Sequence, residues 1–223
     1  MEAYYKVLGN NGRAGNGGTG VWPLPHDGHP GAWLAVEPPL RPCAHGLHLC
    51  RRADLIHWLG PTIWRAEIDS GAERVECDDK VVVSRARLIS RVTTWTDRTA
   101  RLFAADCADH ALSRERAAGR EPDDRSWAAI QAARDYAEGR ITEAAVAATR
   151  GAAGEAAREA AGAAAWGAAG AAAWGAAGAA AWVAAREAAG EAAWEAAREA
   201  AWRRERAWQT DRLFTAYLLT EAA

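Results

Sequence analysis

Apolar and polar residues alternate in short runs along the first part of the chain, a pattern typical of β-strands with one buried face. Residues 3–8 (AYYKVL) predict a first strand, and the apolar run 46–50 (GLHLC) predicts a second. Residues 64–69 predict a third, because Trp, Ala and Ile alternate there with Arg, Glu and Asp. These runs indicate a small sheet.

A further strand is expected over 81–92 (VVVSRARLISRV), with its apolar and basic residues on opposite faces. The apolar face holds Val82, Ala86, Leu88 and Val92, and the other face holds Arg85, Arg87 and Arg91. Residues 52–59 place three apolar side chains at helical spacing, which predicts one covering helix. The N-terminal part is therefore expected to be a mixed or antiparallel sheet with a helix against it.

From Thr96 onward the sequence contains one proline, Pro122, and almost no strand pattern, so we expect helices. Thr96 or Asp97 can cap a helix that ends at Leu112. Pro122-Asp123-Asp124 opens a second helix, because carboxylates favour the positive end of a helix dipole. The apolar stripe of that second helix, interrupted by Gly139, is Trp127, Ile130, Ala133, Ala137 and Ile141.

Residues 150–201 form thirteen consecutive four-residue units that end in Ala-Ala. The first position is only Arg, Gly or Trp, and the second only Gly, Glu, Ala or Val. The residues found at each of these two positions can be encoded by GC-rich codons that differ at a single base. A slipped twelve-nucleotide repeat in the gene therefore accounts for the pattern. The fold class is thus predicted as α+β, with a small domain over 1–95, a two-helix segment over 96–149 and an Ala/Gly/Trp-repeat helical region with a C-terminal helix over 150–223.

The repeat favours helix–helix packing over a long coiled coil. A four-residue repeat advances about 40° per unit on an α-helix, so tryptophans eight residues apart project about 80° from one another. Ala and Gly allow close backbone approach, and the large indoles need burial. The candidate binding residues are therefore the six C-terminal tryptophans: Trp166, Trp174, Trp182, Trp194, Trp202 and Trp208.

Residues 160–185 carry no charge and are long enough to span a bilayer. They comprise 17 Ala, 5 Gly, 3 Trp and one Val, and no Leu, Ile or Phe is present to drive insertion. The composition therefore favours packing within a protein over a membrane span.

The charge balance and the cysteines indicate which partners and which cellular compartment to expect. The 27 basic and 29 acidic residues nearly cancel, so no overall field attracts nucleic acid. The four cysteines form no dense framework and are expected to be reduced thiols. The N-terminus lacks the basic start and apolar run of a secretory signal, so we expect a cytoplasmic protein.

Two groups of residues could carry chemistry. CAHGLHLC places Cys43, His45, His48 and Cys50 within eight positions, but it lacks the spacing of a zinc finger, so ordinary packing is preferred and no metal site is assigned. Asp106 and His110, at i,i+4 spacing on a helix, could form a ligand or acid-base pair. A surface hydrogen bond between them is the preferred interpretation. The glycine-rich run 9–20 lacks the Gly-Lys-Ser/Thr ending of a phosphate-binding loop. No cofactor and no catalytic residue are expected.

The stretch DCADHAL followed by PDDRSWAAIQAARDYAEG resembles the immunity-protein family of bacterial toxin systems and related proteins of actinobacteria and their phages. That resemblance implies a binding protein rather than an enzyme. The matching residues are Asp106, Cys107, His110, Asp124, Arg125, Ala133, Arg134, Tyr136, Ala137 and Gly139.

The first 95 residues resemble an uncharacterised domain of actinobacterial and phage proteins, through Tyr5-Lys6-Val7, Gly46-Leu47-His48 and Lys80-Val81-Val82. They are also similar to ADP-ribosyltransferases, in which His48 and Glu67 would take part in using NAD. The sequence therefore favours a non-enzymatic protein that binds a protein partner or self-associates through its Trp/Ala helices, with an NAD-using enzyme as the alternative.

Overall fold

The computed structural model describes residues 2–15, 18–149, 152 and 191–218, with only the backbone given for 191–198. The chain divides into two units. The first is Met1–Thr96 together with Phe214–Ala223, and the second is Asp97–Leu213. The first unit contains an antiparallel sheet and the second contains helices, so the predicted α+β class is confirmed.

The sheet has seven strands, in the order β2-β7-β4-β1-β3-β6-β5, and each neighbouring pair is antiparallel. The strands predicted over 3–8, 46–50 and 64–69 are all present, as β1, β3 and β4. The bounds are β1 Tyr4–Leu8, β2 Leu34–Ala35, β3 Leu47–Arg51, β4 Thr62–Ile68, β5 Arg74–Glu76, β6 Val81–Val83 and β7 Arg85–Arg91.

The single strand expected over 81–92 is wrong: the chain forms two strands, β6 and β7, that are separated by Ser84. These two strands lie on opposite sides of β1 in the strand order, four strand spacings apart. A flat sheet would separate them by about 19 Å, which one residue cannot bridge. The sheet is therefore strongly curled.

The break at Ser84 also changes which side chains share a face. Val81 and Val83, rather than Val82, pack in the same core cluster as Ala86 and Leu88. The prediction that Val82 shares their face is therefore wrong, because a period of two does not continue through a change of pairing partner. The other members of this cluster are Leu8, Trp22, Leu47, Leu49 and Trp64.

Residues 52–59 do not form the expected helix. They contain only a 3-10 turn, Leu55–His57, in which Leu55 is fully buried. The carboxylate of Asp54 accepts hydrogen bonds from the backbone and side chain of Arg51, at 3.0 and 2.7 Å, and this closes the chain at the end of β3. Only ten residues connect the end of β3 to the start of β4, and this connection has room for one turn.

Three helices of the second unit have defined bounds: α1 Asp97–Ala117, α2 Asp124–Ala137 and α3 Glu191–Arg212. Residues 143–149 are also helical, and α3 continues into a π-helical turn, Leu213–Leu218. The predicted start of α2 is confirmed, since the Asp123 carboxylate accepts from the backbone N–H of Arg125 at 2.8 Å.

Two predicted helix ends differ from the structure. Helix α1 continues past Leu112 because the residues that follow are also helix formers, and it ends before Gly119, which has a φ of +81°. Helix α2 ends at Ala137 and does not reach Ile141, because Gly139 has a φ of +73°. The core between α1 and α2 is made of Ala105, Ala108, Leu112 and Ile130, with Trp127 and Ala133 against it.

No helix in the described ranges is long and apolar enough to cross a membrane. The charge-free stretch 160–185 lies outside those ranges, as does most of the repeat.

Candidate functional site

The tryptophan-bearing helix α3 is joined to α1 by a buried carboxylate. Glu205 is only 2% exposed, and its Oε2 lies 2.9 Å from Nη1 of Arg114 and 3.3 Å from Nε2 of His110. The side-chain amide of Gln209 lies 3.5 Å from the other oxygen. A buried carboxylate is tolerated only when it is paired and hydrogen-bonded, so these contacts hold α3 in one register against α1.

The imidazole of His110 also stacks on an indole of α3. The ring centroids of His110 and Trp208 are 3.8 Å apart and the planes are inclined by only 7°. His110 therefore touches α3 through its face as well as its edge. This histidine was a candidate acid-base residue, and the structure places it in a helix–helix contact.

Asp106 and Asp109 of α1 extend the same network. Nη2 of Arg134, on α2, lies 3.1 Å from Asp106 and 2.7 Å from Asp109. Nη2 of Arg212, at the end of α3, lies 2.7 Å from Asp106. Burial alone would lower the pKa of the Arg134 guanidinium, but its hydrogen bonds to the two aspartates outweigh burial and raise that pKa. The network, defined by Asp106, Asp109, His110, Arg114, Arg134, Glu205, Gln209 and Arg212, links three helices.

Cys107 lies beside this network but is not a nucleophile. Burial, with a smaller effect from the charges of Glu205 and Asp106, raises the pKa of its thiol to about 12. The thiol therefore stays protonated at neutral pH. The stretch that sequence analysis singled out, Asp106, Cys107 and His110, has a packing role in the described structure.

The two tryptophans of α3 with described side chains have different environments. Both indoles are half-buried, but Trp208 stacks on His110, whereas the Arg206 guanidinium lies 4.5 Å from the ring centroid of Trp202. Six residues along a helix correspond to 600°, so the two indoles leave α3 about 120° apart. Trp194 lies within α3, where only its backbone is described. Trp166, Trp174 and Trp182 lie outside the described residues.

CAHGLHLC forms a tight turn and a strand. Nε2 of His48 accepts from the backbone N–H of Cys43 at 3.0 Å, and Nδ1 of the same ring lies 3.0 Å from the carbonyl oxygen of Gly46. His45 contacts the Glu37 carbonyl oxygen at 2.7 Å. Burial raises the pKa of the Cys50 thiol to about 12. The structure uses these side chains to shape the turn, and no metal-binding group of three or more such residues occurs in the described part of the chain.

The structure does not bring His48 and Glu67 together. Cys50 and Arg65 both pair with Tyr5, so they are level across β1. His48 precedes the first of them by two residues. Glu67 follows the second by two, and β3 and β4 run in the same direction. The separation is therefore about four residue rises and two strand spacings, or roughly 16 Å, and Glu67 forms an ion pair with β7 at 2.6 Å.

Sequence reasoning missed Glu205 and Gln209, although the sequence contains a signal for them. Ala201, Glu205, Gln209 and Leu213 recur every four residues, and all four are buried. A glutamate within such a stripe requires a cationic partner on the neighbouring helix. The partner, Arg114, is 91 residues away and could not be chosen from sequence alone.

Neither a family model, nor a curated protein, nor a solved structure matches this chain.

Proposed function

We propose that the protein acts by binding protein, through the Ala/Trp-rich helices of its second unit, and that a second copy of the chain is the simplest partner. The observation that carries the proposal is the divergence of Trp202 and Trp208 on α3. Trp208 stacks on His110, Trp202 leaves the helix about 120° away, and both indoles stay half-buried. On the helix Trp202 lies about 20° from the buried Gln209 and Leu213, so it borders the buried face of α3 and the uncovered part of its ring is open to a partner.

The network around Glu205 supports this role because it fixes the position of α3. A buried ionic contact adds little net stability compared with an apolar one, but it selects one register. A contact surface requires such definition, since tryptophans contribute binding energy only when they meet a complementary surface. The network supplies that definition by fixing α3 against α1.

The composition of the repeat suits the same binding role. Alanines and glycines permit close helix approach, and tryptophans eight residues apart on a helix would project about 80° from one another. A single neighbouring helix covers about a third of the circumference, so the remaining indoles need a further partner. The near-neutral charge favours a protein over nucleic acid. The four free thiols are consistent with a reducing compartment, and a cytoplasmic setting is part of the proposal.

The test is sedimentation equilibrium of the full chain over a wide range of concentrations. The average mass should rise with concentration, and Trp202→Ala should weaken the association by about tenfold or more while leaving the melting temperature unchanged. Trp208→Ala should instead lower the melting temperature, because it removes the ring that stacks on His110.

The control is Trp33→Ala, which removes a half-buried indole of the first unit and should leave the association unchanged. A monomeric mass at all concentrations would refute self-association. Equal effects of Trp202→Ala and Trp33→Ala would refute the assignment of the contact to α3.

A further inference from the structure

A short hairpin of the first unit, with the sequence PHDGHP over residues 25–30, places two histidines side by side. The backbone N–H of His26 donates to the carbonyl oxygen of His29 at 3.1 Å, and the N–H of His29 donates to that of His26 at 2.9 Å. Between them, Asp27 and Gly28 have φ of +50° and +77°, as in a type I′ turn. The two histidines therefore form a hydrogen-bonded antiparallel pair, and their side chains leave the same face of the hairpin.

The hairpin is held at both ends by the core of the first unit. Trp22, before the hairpin, is 3% exposed and belongs to the core cluster of the sheet. After the hairpin, the backbone N–H of Gly31 donates to the carbonyl oxygen of Leu88, in β7, at 2.9 Å. A Cβ atom at Gly31 would lie 2.2 Å from the carbonyl oxygen of Pro23, so the two arms approach each other closely. The backbone thus fixes the histidine pair before any ligand is bound.

The spacing of the pair suits two ligands of one metal ion. In a hydrogen-bonded antiparallel pair the Cα atoms are about 5.5 Å apart, and the Cβ atoms are at a similar distance. Two imidazole nitrogens on one tetrahedral zinc ion, each about 2.0 Å from the metal, are roughly 3.3 Å apart. The two rings therefore need to converge by only about 2 Å in total, which rotation about their side-chain bonds provides.

Asp27 prepares one of the two rings for this role. Its Oδ2 lies 2.9 Å from Nδ1 of His26. Because an ionised carboxylate only accepts hydrogen bonds, the neutral ring carries its proton on Nδ1 and presents the lone pair of Nε2. Metal-bound histidines commonly donate their other ring nitrogen to such a carboxylate, which fixes the tautomer and makes the ligand more basic. The carboxylate also places a negative charge beside the pair, which favours a cation.

Both rings are accessible from solution. The side chains of His26 and Asp27 are 84% and 80% exposed, and His29 is exposed as well. The described residues contain no group of three or more metal-binding side chains, so the hairpin provides two protein ligands and leaves the other coordination positions to water.

We propose that His26 and His29 bind a zinc ion, through Nε2 of His26 and one ring nitrogen of His29. Imidazole nitrogen selects zinc and its neighbours among the transition metals over Mg²⁺ and Ca²⁺, which prefer oxygen ligands. Zinc accepts the tetrahedral arrangement that two convergent rings and two waters produce. The site uses none of the residues to which self-association is assigned, so either proposal can fail without the other.

The experiment is isothermal titration of the full chain with zinc chloride in a buffer that does not bind zinc, and with magnesium chloride for comparison. We expect saturable binding of zinc and no binding of magnesium. His26→Asn and His29→Asn should each weaken zinc binding by about tenfold or more, because a single imidazole lacks the second, intramolecular ligand. Both residues are exposed, so both variants should keep the melting temperature of the original chain.

The matched control is His57→Asn, which removes an exposed histidine outside the hairpin and should leave the dissociation constant unchanged. The absence of saturable zinc binding would overturn the proposal. So would a variant with both hairpin histidines replaced that binds zinc as tightly as the original chain, since the ion would then lie elsewhere. An equal effect of His57→Asn and the two hairpin substitutions would also overturn it, because the binding would then not depend on the pair.

Discussion

The imidazole of His110 and the indole of Trp208 lie nearly parallel, with centroids 3.8 Å apart, while the edge of the same imidazole faces the buried Glu205. One residue of α1 therefore makes two contacts of different kinds with α3. This arrangement ties a tryptophan close to the end of the repeat to a defined position on the helical unit.

Removal of the buried carboxylate should destabilise the helical unit. Glu205→Ala removes the buried carboxylate and leaves Arg114 and His110, which are partly exposed, without their partner, and we expect a loss of about 2 kcal/mol in the free energy of unfolding. Chemical denaturation followed by tryptophan fluorescence measures it. The control is Glu199→Ala on the same helix, whose exposed pair with Arg203 should contribute less than about 0.5 kcal/mol. Similar losses for the two variants would contradict the role given to Glu205.

The stacked pair can be tested with a double-mutant cycle. We expect His110→Ala and Trp208→Ala to be non-additive, with a coupling free energy of about 1 kcal/mol from the ring contact. Unfolding of the two single variants and the double variant gives the coupling. A cycle between His110 and Trp202 serves as the control and should be additive. Additivity in both cycles would mean that the stack contributes nothing.

Lys6 gives the first unit a pH dependence with a defined sign. Burial lowers the pKa of its ammonium group from 10.5 to about 8, although the group donates to the His48 carbonyl oxygen at 2.9 Å. Below about pH 8 the folded chain carries a poorly solvated charge. Between pH 8 and 10.5 the folded chain loses this proton while the unfolded chain keeps it. The free energy of unfolding therefore increases with pH over this range.

The comparison is between the original chain and Lys6→Met, which keeps the side-chain length. The free energy of unfolding of the original chain should rise relative to the variant by about 2 kcal/mol between pH 8 and 10.5. Ionisation of Cys50 in the unfolded chain acts in the opposite direction but is common to both proteins. A constant difference between them across this range would show that Lys6 is not buried as described.

Gly46 should be intolerant of a side chain. Its φ is +138°, and a Cβ atom there would lie 2.3 Å from a methyl group of the fully buried Val82. We expect Gly46→Ala to lower the free energy of unfolding by about 3 kcal/mol. Gly28→Ala is the control, because its φ of +77° is also unfavourable but no atom lies within 4 Å, and it should cost about 1 kcal/mol. Equal losses would mean that the backbone conformation, and not the contact, sets the effect.

Local sequence patterns predicted the elements in which buried and exposed positions recur at regular spacing. The alternation in residues 64–69 was sufficient for β4, and the Pro-Asp-Asp start was sufficient for α2. Residues 81–92 were predicted wrongly because periodicity does not indicate where a strand exchanges its partners. Residues 52–59 were mistaken for a helix because helical spacing of three apolar residues does not measure the room between two strands.

The candidate site was less accessible to sequence reasoning than the fold. His110 was identified, but its partners Glu205 and Trp208 lie 95 and 98 residues further along the chain. Such contacts depend on how helices pair, which a single sequence does not record.

The most direct test of the binding surface is fluorine NMR of the full chain labelled with 5-fluorotryptophan, with each signal assigned by a Trp→Phe substitution. The signals to follow are those of the repeat tryptophans Trp166, Trp174, Trp182 and Trp194, together with that of Trp202. With rising protein concentration these signals should shift and lose solvent accessibility, whereas the signal of Trp208 should change less, because His110 is stacked on one face of its ring. Repeat signals that remain solvent-exposed and independent of concentration would contradict the account.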